Sequence, residues 1–253
     1  LKTLLPVNQK WMEAMILRDQ GRTDEGIRLL RETIAARSDF DLAFTYLAGF
    51  LKERGRFEEA VDILRDGTER NPASFSILTA YGIILVEAGR FDEAIGCLEK
   101  ALEIYGADPE AWNYLGVALW NKGDYDGARK AYGRALALDA NDAIVINNVG
   151  TLSLSVYLES RAEDALTAAV AGFRRAVAVD PGYAPAHNGL GAALRLAGDS
   201  DGAAAAWARA VELRPDYGYA LYNLGLTLLE RGGKGGALGY LTRYRDLFAA
   251  SLP

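Results

Sequence analysis

Acid–base, nucleophilic and metal chemistry draw on a short list of side chains. This 253-residue chain holds one histidine, His187, and one cysteine, Cys97. A serine or cysteine nucleophile needs a neighbouring base, and a lone imidazole without a relay partner does not make such a pair. A zinc site needs three or four N, S or O ligands set at matching positions, and no such set is present. His187 falls on an apolar helix face, where a packed imidazole is expected, and Cys97 beside Leu98 reads as a small inert hydrophobe. Gly232-Gly-Lys-Gly-Gly236 has the composition of a phosphate loop, but it lacks the Gly-Lys-Ser/Thr ending and follows no strand. The expectation is a non-enzyme with no catalytic residue, cofactor or metal.

Composition narrows the partners. The formal net charge is -6, which disfavours a phosphate backbone as ligand. No stretch approaches the ~20 apolar residues of a membrane span. Half of the residues (50%) are hydrophobic, enough for a packed body rather than a disordered one. One cysteine excludes an intrachain disulfide, and no Asn-x-Ser/Thr sequon occurs. Both facts fit a cytoplasmic setting, which is slightly favoured, and neither excludes a periplasmic one reached through a removed N-terminal signal.

The elements that carry these residues repeat. Gly-Arg-Phe-Glu-Glu-Ala at Gly55–Ala60 returns as Gly-Arg-Phe-Asp-Glu-Ala at Gly89–Ala94 and Gly-Asp-Tyr-Asp-Gly-Ala at Gly123–Ala128, a step of 34 residues. Weaker copies stand at Gly21–Gly26, Gly198–Ala203 and Gly232–Ala237. A second phrase falls half a period earlier: Trp112-Asn-Tyr-Leu-Gly116, His187-Asn-Gly-Leu-Gly191 and Leu221-Tyr-Asn-Leu-Gly225. In phase, these set units starting at Val7, Asp41, Phe75, Pro109, Ala143, Ala184 and Gly218, an array over 7–248 with a leading segment 1–6 and a tail 249–253.

Each unit reads as two helices. In the fourth, Trp112, Leu115, Gly116 and Leu119 share one helical stripe, and Ala128, Tyr132 and Ala135 share another. Gly123 ends the first helix, and Asp124 or Asp126 is placed to cap the second. Pro72, Pro181 and Pro215 mark the ends of second helices. The fifth unit is longer: Phe173, Ala176 and Pro181 arrive seven residues late, and Tyr157 to Thr167 contains no Gly or Pro. About one extra turn on each helix accommodates this. Glu159, Ser160, Arg161, Glu163 and Asp164 then stand at the tip of the longer hairpin.

A 34-residue helix pair carrying Trp-x-x-Leu-Gly, then Ala, an aromatic, Ala and Pro, resembles the tetratricopeptide-repeat (TPR) family. The fourth unit carries it with Trp112, Leu115, Gly116, Leu119, Ala128, Tyr132 and Ala135, and the sixth with Leu190, Gly191, Leu194, Ala203, Trp207, Ala210 and Pro215. The first unit departs from it, with Lys10 and Glu13 at large-apolar positions, as a degenerate cap would. The resemblance implies an all-α, right-handed α-solenoid of seven helix pairs, serving as a protein-interaction scaffold or adaptor. It also implies a concave groove lined by positions 2, 5, 9, 12 and 13 of the first helices.

On those positions stand Asn113, Val117, Trp120, Asn147, Leu154, Asn188, Arg195, Tyr222 and Leu226, with Asn148 and Asn223 one residue further along from position 5 and Ile83, Val86, Leu196 and Leu229 completing the apolar lining. An asparagine presents both a donor and an acceptor, suited to an extended peptide backbone. The apolar neighbours suit an extended peptide with apolar side chains or an amphipathic helix. The paired basic residues of a carboxylate clamp are missing: the matching positions hold Thr45, Thr79, Asn113 and Asn147. Leu238, Leu241, Tyr244, Leu247 and Phe248 are expected on the open face of the last helix, as a self-association surface. The phrases Asp108-Pro-Glu-Ala-Trp112 and Asn141-Asp-Ala-Ile144 also resemble TPR tails of bacterial multidomain proteins. The alternative they imply is a non-catalytic module of a larger enzyme, such as a sulfatase-like hydrolase.

Overall fold

The computed structural model describes residues 4–250, so parts of the leading segment (1–3) and of the tail (251–253) lie outside the described residues. Among the described residues there are fourteen α-helices and no strand. They fall into two compact units, Leu1–Leu138 and Asp139–Pro253.

The first unit holds four helix pairs: α1 (Leu4–Asp19) with α2 (Thr23–Ala36), α3 (Asp41–Glu53) with α4 (Phe57–Arg70), α5 (Phe75–Glu87) with α6 (Phe91–Ile104), and α7 (Pro109–Asn121) with α8 (Tyr125–Leu138). The second holds three: α9 (Ala143–Ser160) with α10 (Glu163–Val179), α11 (Ala184–Leu196) with α12 (Ser200–Leu213), and α13 (Gly218–Glu230) with α14 (Lys234–Ala250). Within each unit, every second helix also packs on the next first helix, and α3 touches α5, α5 touches α7 and α9 touches α11.

Local chemistry explains where the helices stop and start. Gly123 takes φ +81°, a conformation open to glycine, at the end of α7. There the Asp124 N–H reaches back to Leu119 O at 2.9 Å and the Gly123 N–H to Trp120 O at 3.0 Å, satisfying the last carbonyls of the helix. The Asp124 carboxylate then accepts from Gly127 N at 2.9 Å and opens α8. Asp108, Asp142 and Asp199 cap α7, α9 and α12 in the same way.

The packing of each pair rests on a small residue opposite a large one. A Cβ added at Gly116 would lie 2.5 Å from the Tyr132 ring, and one at Gly191 would lie 2.7 Å from Trp207. Glycine at these sites lets two helix backbones close over a buried aromatic. Tyr132 is 1% exposed, and burial pushes its phenol far above the ordinary tyrosine range. Neighbouring pairs lock through the third residue of each first helix: Ala43, Ile77 and Ala111 in the first unit, and Ala186 and Ala220 in the second, are all 0% exposed. Exposed ion pairs recur at the same junctions, as Arg54–Asp24 at 2.8 Å, Lys122–Asp92 at 2.9 Å and Arg231–Asp201. Each contributes little by itself.

The fifth pair is longer than its neighbours. The helix α9 has 18 residues and α10 has 17, against 13 and 14 in α11 and α12. Without a glycine at the turn, Arg161 adopts the left-handed conformation at φ 57° and lays its guanidinium 5.7 Å from the Tyr157 ring centroid. Glu159, Ser160, Glu163 and Asp164 are exposed beside it. The added turn of α10 borders a hollow of about 440 Å³ over Leu166, Val170 and Leu194.

The small-against-large contact gives a direct comparison of two glycines. Replacing Gly116 with alanine is expected to lower unfolding stability by about 1–2 kcal/mol, because overpacking against Tyr132 outweighs the gain in helix propensity. Gly133 in α8, where an added Cβ meets nothing within 4 Å, behaves oppositely. Gly133→Ala is expected to raise stability by about 0.5–1 kcal/mol. Urea unfolding followed by far-UV circular dichroism measures both, and equal midpoints for the two variants would contradict this packing.

Candidate functional site

First helices use positions 3, 4, 7 and 8 for the fold, which leaves positions 5, 9, 12 and 13 on a different face of each helix. In the first unit, Asn113 is buried on α7, and Val117 and Trp120 are half-buried with Val117 packed on the core. Trp112 is held in place by its indole N–H, which donates to Gly106 O at 2.8 Å. Ile83 is half-buried and Val86 is buried, so Val86 belongs to the core rather than to a surface.

In the second unit, Asn147 is 8% exposed on α9, Asn148 is half-buried, and Leu154 packs on the cluster of Tyr157, Leu166 and Phe173. Asn188 and Asn223 are half-buried. On α13, Tyr222 is exposed, Leu226 is half-buried and Leu229 is exposed, so steps of 4 and 3 put all three on one stripe. Leu196 is exposed on α11. Arg195, expected in the groove, forms an ion pair with Glu230 that ties α11 to α13. Lys52 and Glu87 make the matching pair between α3 and α5 at 2.5 Å.

Position 5 carries an oddity that residue types alone do not reveal. The Thr79 hydroxyl, the Asn147 side-chain oxygen and the Asn188 side-chain oxygen are all buried without a hydrogen-bond partner. A buried acceptor left unpaired costs roughly 1–3 kcal/mol, so three in one repeat register are a concentrated cost. Nearby, the Tyr217 phenol is raised by burial, an effect partly offset by Arg214 and a hydrogen bond with Asn188.

The last helix departs from expectation. Leu238 is 67% exposed and Phe248 58% exposed, with Leu247 also open. Leu241 is not on that face. It packs into α13, where a Cβ at Gly225 would lie 2.7 Å from its Cγ. It occupies the place that Tyr132 holds opposite Gly116, so the fold of the last pair requires it. Tyr244 is half-buried as well, its ring 5.1 Å from Tyr222 and 6.4 Å from Phe248.

His187 is 8% exposed, and its Nε2 is paired with Pro181 O at 3.0 Å, a structural contact. Among the described residues no three His, Cys, Asp or Glu side chains could hold a metal ion, and no helix is long and apolar enough to cross a membrane.

A family profile described as "Tetratricopeptide repeat" matches residues 79–143, 158–217 and 197–251, and a second of the same description matches 17–80. No curated protein matches the chain significantly. Among solved structures, the chain is similar to a tetratricopeptide repeat protein from Parabacteroides merdae, at 13% identity over 95% of this chain and 93% of that one, with a TM-score of 0.75. It is similar to MamA from Desulfovibrio magneticus, at 22% identity over 71% and 97% of the two chains, with a TM-score of 0.57. It is also similar to YrrB, described as a TPR protein with an unusual peptide-binding site, at 21% identity over 76% and 95%, with a TM-score of 0.54. At these identities the likeness is one of fold.

Cys97 offers a check on its surroundings. Burial pushes its thiol above the usual cysteine value, so little thiolate is present near neutral pH. Alkylation by iodoacetamide at pH 8 is expected to run several-fold slower than that of free cysteine, with the rate still climbing beyond pH 9. A rate that levels off below pH 8 would contradict this placement.

Proposed function

The chain belongs to the tetratricopeptide-repeat family, and from that premise we propose that it is a non-catalytic protein-interaction scaffold. It binds a peptide or an amphipathic helix along the first-helix faces of its repeats. The observation that carries the reading is the stripe on α13, where exposed Tyr222 and Leu229 flank Leu226. Tyr222 keeps an internal contact with Tyr244, while Leu229 has open apolar surface beside it, and a ligand covering the row gains that burial. The amide of Asn223 stands beside these apolar contacts with a donor and an acceptor, the mixture that recognises a peptide. YrrB, with its described peptide-binding site, supports the class of ligand.

Trp120 is assigned as an anchor in the first unit, since Trp and Tyr dominate binding hot spots. A second association surface is assigned to α14, through Leu238, Leu247 and Phe248 rather than Leu241.

Selection of random peptides displayed on phage tests the reading against the purified protein. Enriched peptides are expected to carry apolar residues and to bind at least tenfold more weakly to Trp120→Ala or Tyr222→Ala. Asn147→Ala is the third arm. Its thermal melt is measured alongside, so that weakened binding is read as loss of a contact only where the fold is kept. If no peptide is enriched, or all three variants bind as the wild type does, the groove assignment is wrong.

A further inference from the structure

Gly49 lies in the middle of α3, where glycine is a poorer helix former than alanine. Other first-helix glycines have a packing reason: a Cβ at Gly82 or Gly116 would strike Leu98 or Tyr132. At Gly49 an added Cβ meets nothing within 4 Å, and its φ is not in the left-handed region. Neither a turn nor an internal contact accounts for this glycine.

What it borders is a hollow of about 150 Å³ between α3 and α5. Ala48, Leu64 and Ile84, each at most 3% exposed, contribute buried apolar surface to it, and Ala80 and Ile83 line it too. The Thr45 hydroxyl, which also borders the hollow, is turned back to donate to Leu42 O at 3.1 Å. Lys52 and Glu87 also border it, paired with each other at 2.5 Å. That pair offers no net charge to a guest. A charged side chain entering would lose its hydration without gaining a partner, whereas an uncharged apolar one matches both lining and edge. Its volume, about 150 Å³, is that of an enclosed apolar cavity that holds one benzene, but here one side is open to the groove so that a side chain can enter.

In the second unit the same kind of ion pair joins Arg195 to Glu230. There Ala192 and Leu226 stand at the positions of Gly49 and Ile83, adding a methyl group where Gly49 has none. Ile83, Val117, Thr151, Ala192 and Leu226 hold the same position on the first helices from α5 onward, so a glycine there is particular to α3.

We propose that this hollow is an anchor subsite for one phenylalanine side chain of a bound peptide or helix. The inference rests on the first-helix reading given above, and it is tested separately from it. The probe is N-acetyl-phenylalaninamide, titrated into protein labelled at isoleucine δ1 methyls and followed by methyl NMR. N-acetyl-alaninamide and N-acetyl-aspartate amide serve as controls. Saturable shifts of Ile83 and Ile84 are expected with the phenylalanine probe in the millimolar range, and at least tenfold weaker responses with either control.

Gly49→Leu fills the hollow with the protein's own side chain. It is expected to fold, because nothing obstructs its Cβ, and to weaken the probe response at least tenfold. Gly49→Ala, with thermal melts of both variants, keeps loss of binding distinct from loss of fold: alanine should melt no lower than wild type and retain most of the response. The subsite is overturned if Ile83 and Ile84 do not shift, if the alanine or aspartate probe shifts them equally, or if folded Gly49→Leu responds like wild type. Each of these results leaves peptide binding at Trp120 or Tyr222 standing. Conversely, a phage selection that yields no peptide sinks the groove reading whatever the methyl shifts show.

Discussion

Everything in this fold depends on a small residue in one helix facing a large one in its partner. Gly82 faces Leu98, Gly116 faces Tyr132, Gly191 faces Trp207 and Gly225 faces Leu241, with a hypothetical Cβ at 2.4–2.7 Å in every case. The contact fixes the distance between paired helices and seats the facing side chain directly against its partner's backbone. It also fills the space between paired helices, so the surface left to a ligand by these four pairs is that of their helix faces.

The second constraint is the junction between pairs. Fully buried third residues, such as Ala111 and Ala220, need a flat apolar bed made by the preceding pair. Lys10 and Glu13 do not meet that need, and both lie within α1, the first helix among the described residues. Gln9, Met12, Glu13 and Ile16 are exposed there. At the opposite end, Ala237 is buried in α14 while Leu238, Leu247 and Phe248 are open. The two ends of the chain are therefore chemically unlike, one mixed in polarity and the other largely apolar.

Much of the fold was legible because its requirements are local and recur at a fixed step. The glycine-ended turn, the acidic cap and the small residue of the first helix are each set by residues close in sequence, so the repeated phrases carried the helix pairs and the helical class. The longer fifth pair was legible for the same reason: a delay of seven residues has to appear as added helix, and it is divided between α9 and α10. The face of the last helix was harder. Leu241 has an apolar neighbour at each helical step, so residue type alone cannot tell inward from outward. Its role follows from register, since it stands opposite Gly225 as Tyr132 stands opposite Gly116. The engagement of Arg195 was hidden for another reason. Its partner Glu230 is a full repeat away, and rotamers decide whether such residues meet.

The candidate site was the least legible part, and the physics explains why. Residues that the fold needs are constrained in size and polarity, so their spacing shows. Residues on the remaining face of a first helix are free to vary without cost to packing, and their types carry no signature of the fold. Departures from what stability would select are more telling than any pattern there. Asn147 and Asn188 bury oxygens that make no bond, and Gly49 weakens a helix around a space it does not fill. An alanine or leucine at any of these places would satisfy the helix better. All three sit on first helices, outside the positions that hold the pairs together. The same kinds of breach also occur elsewhere, as the buried Trp207 indole N–H without a partner and Gly133 inside α8, so it is their position on the proposed ligand face that gives these three their interest.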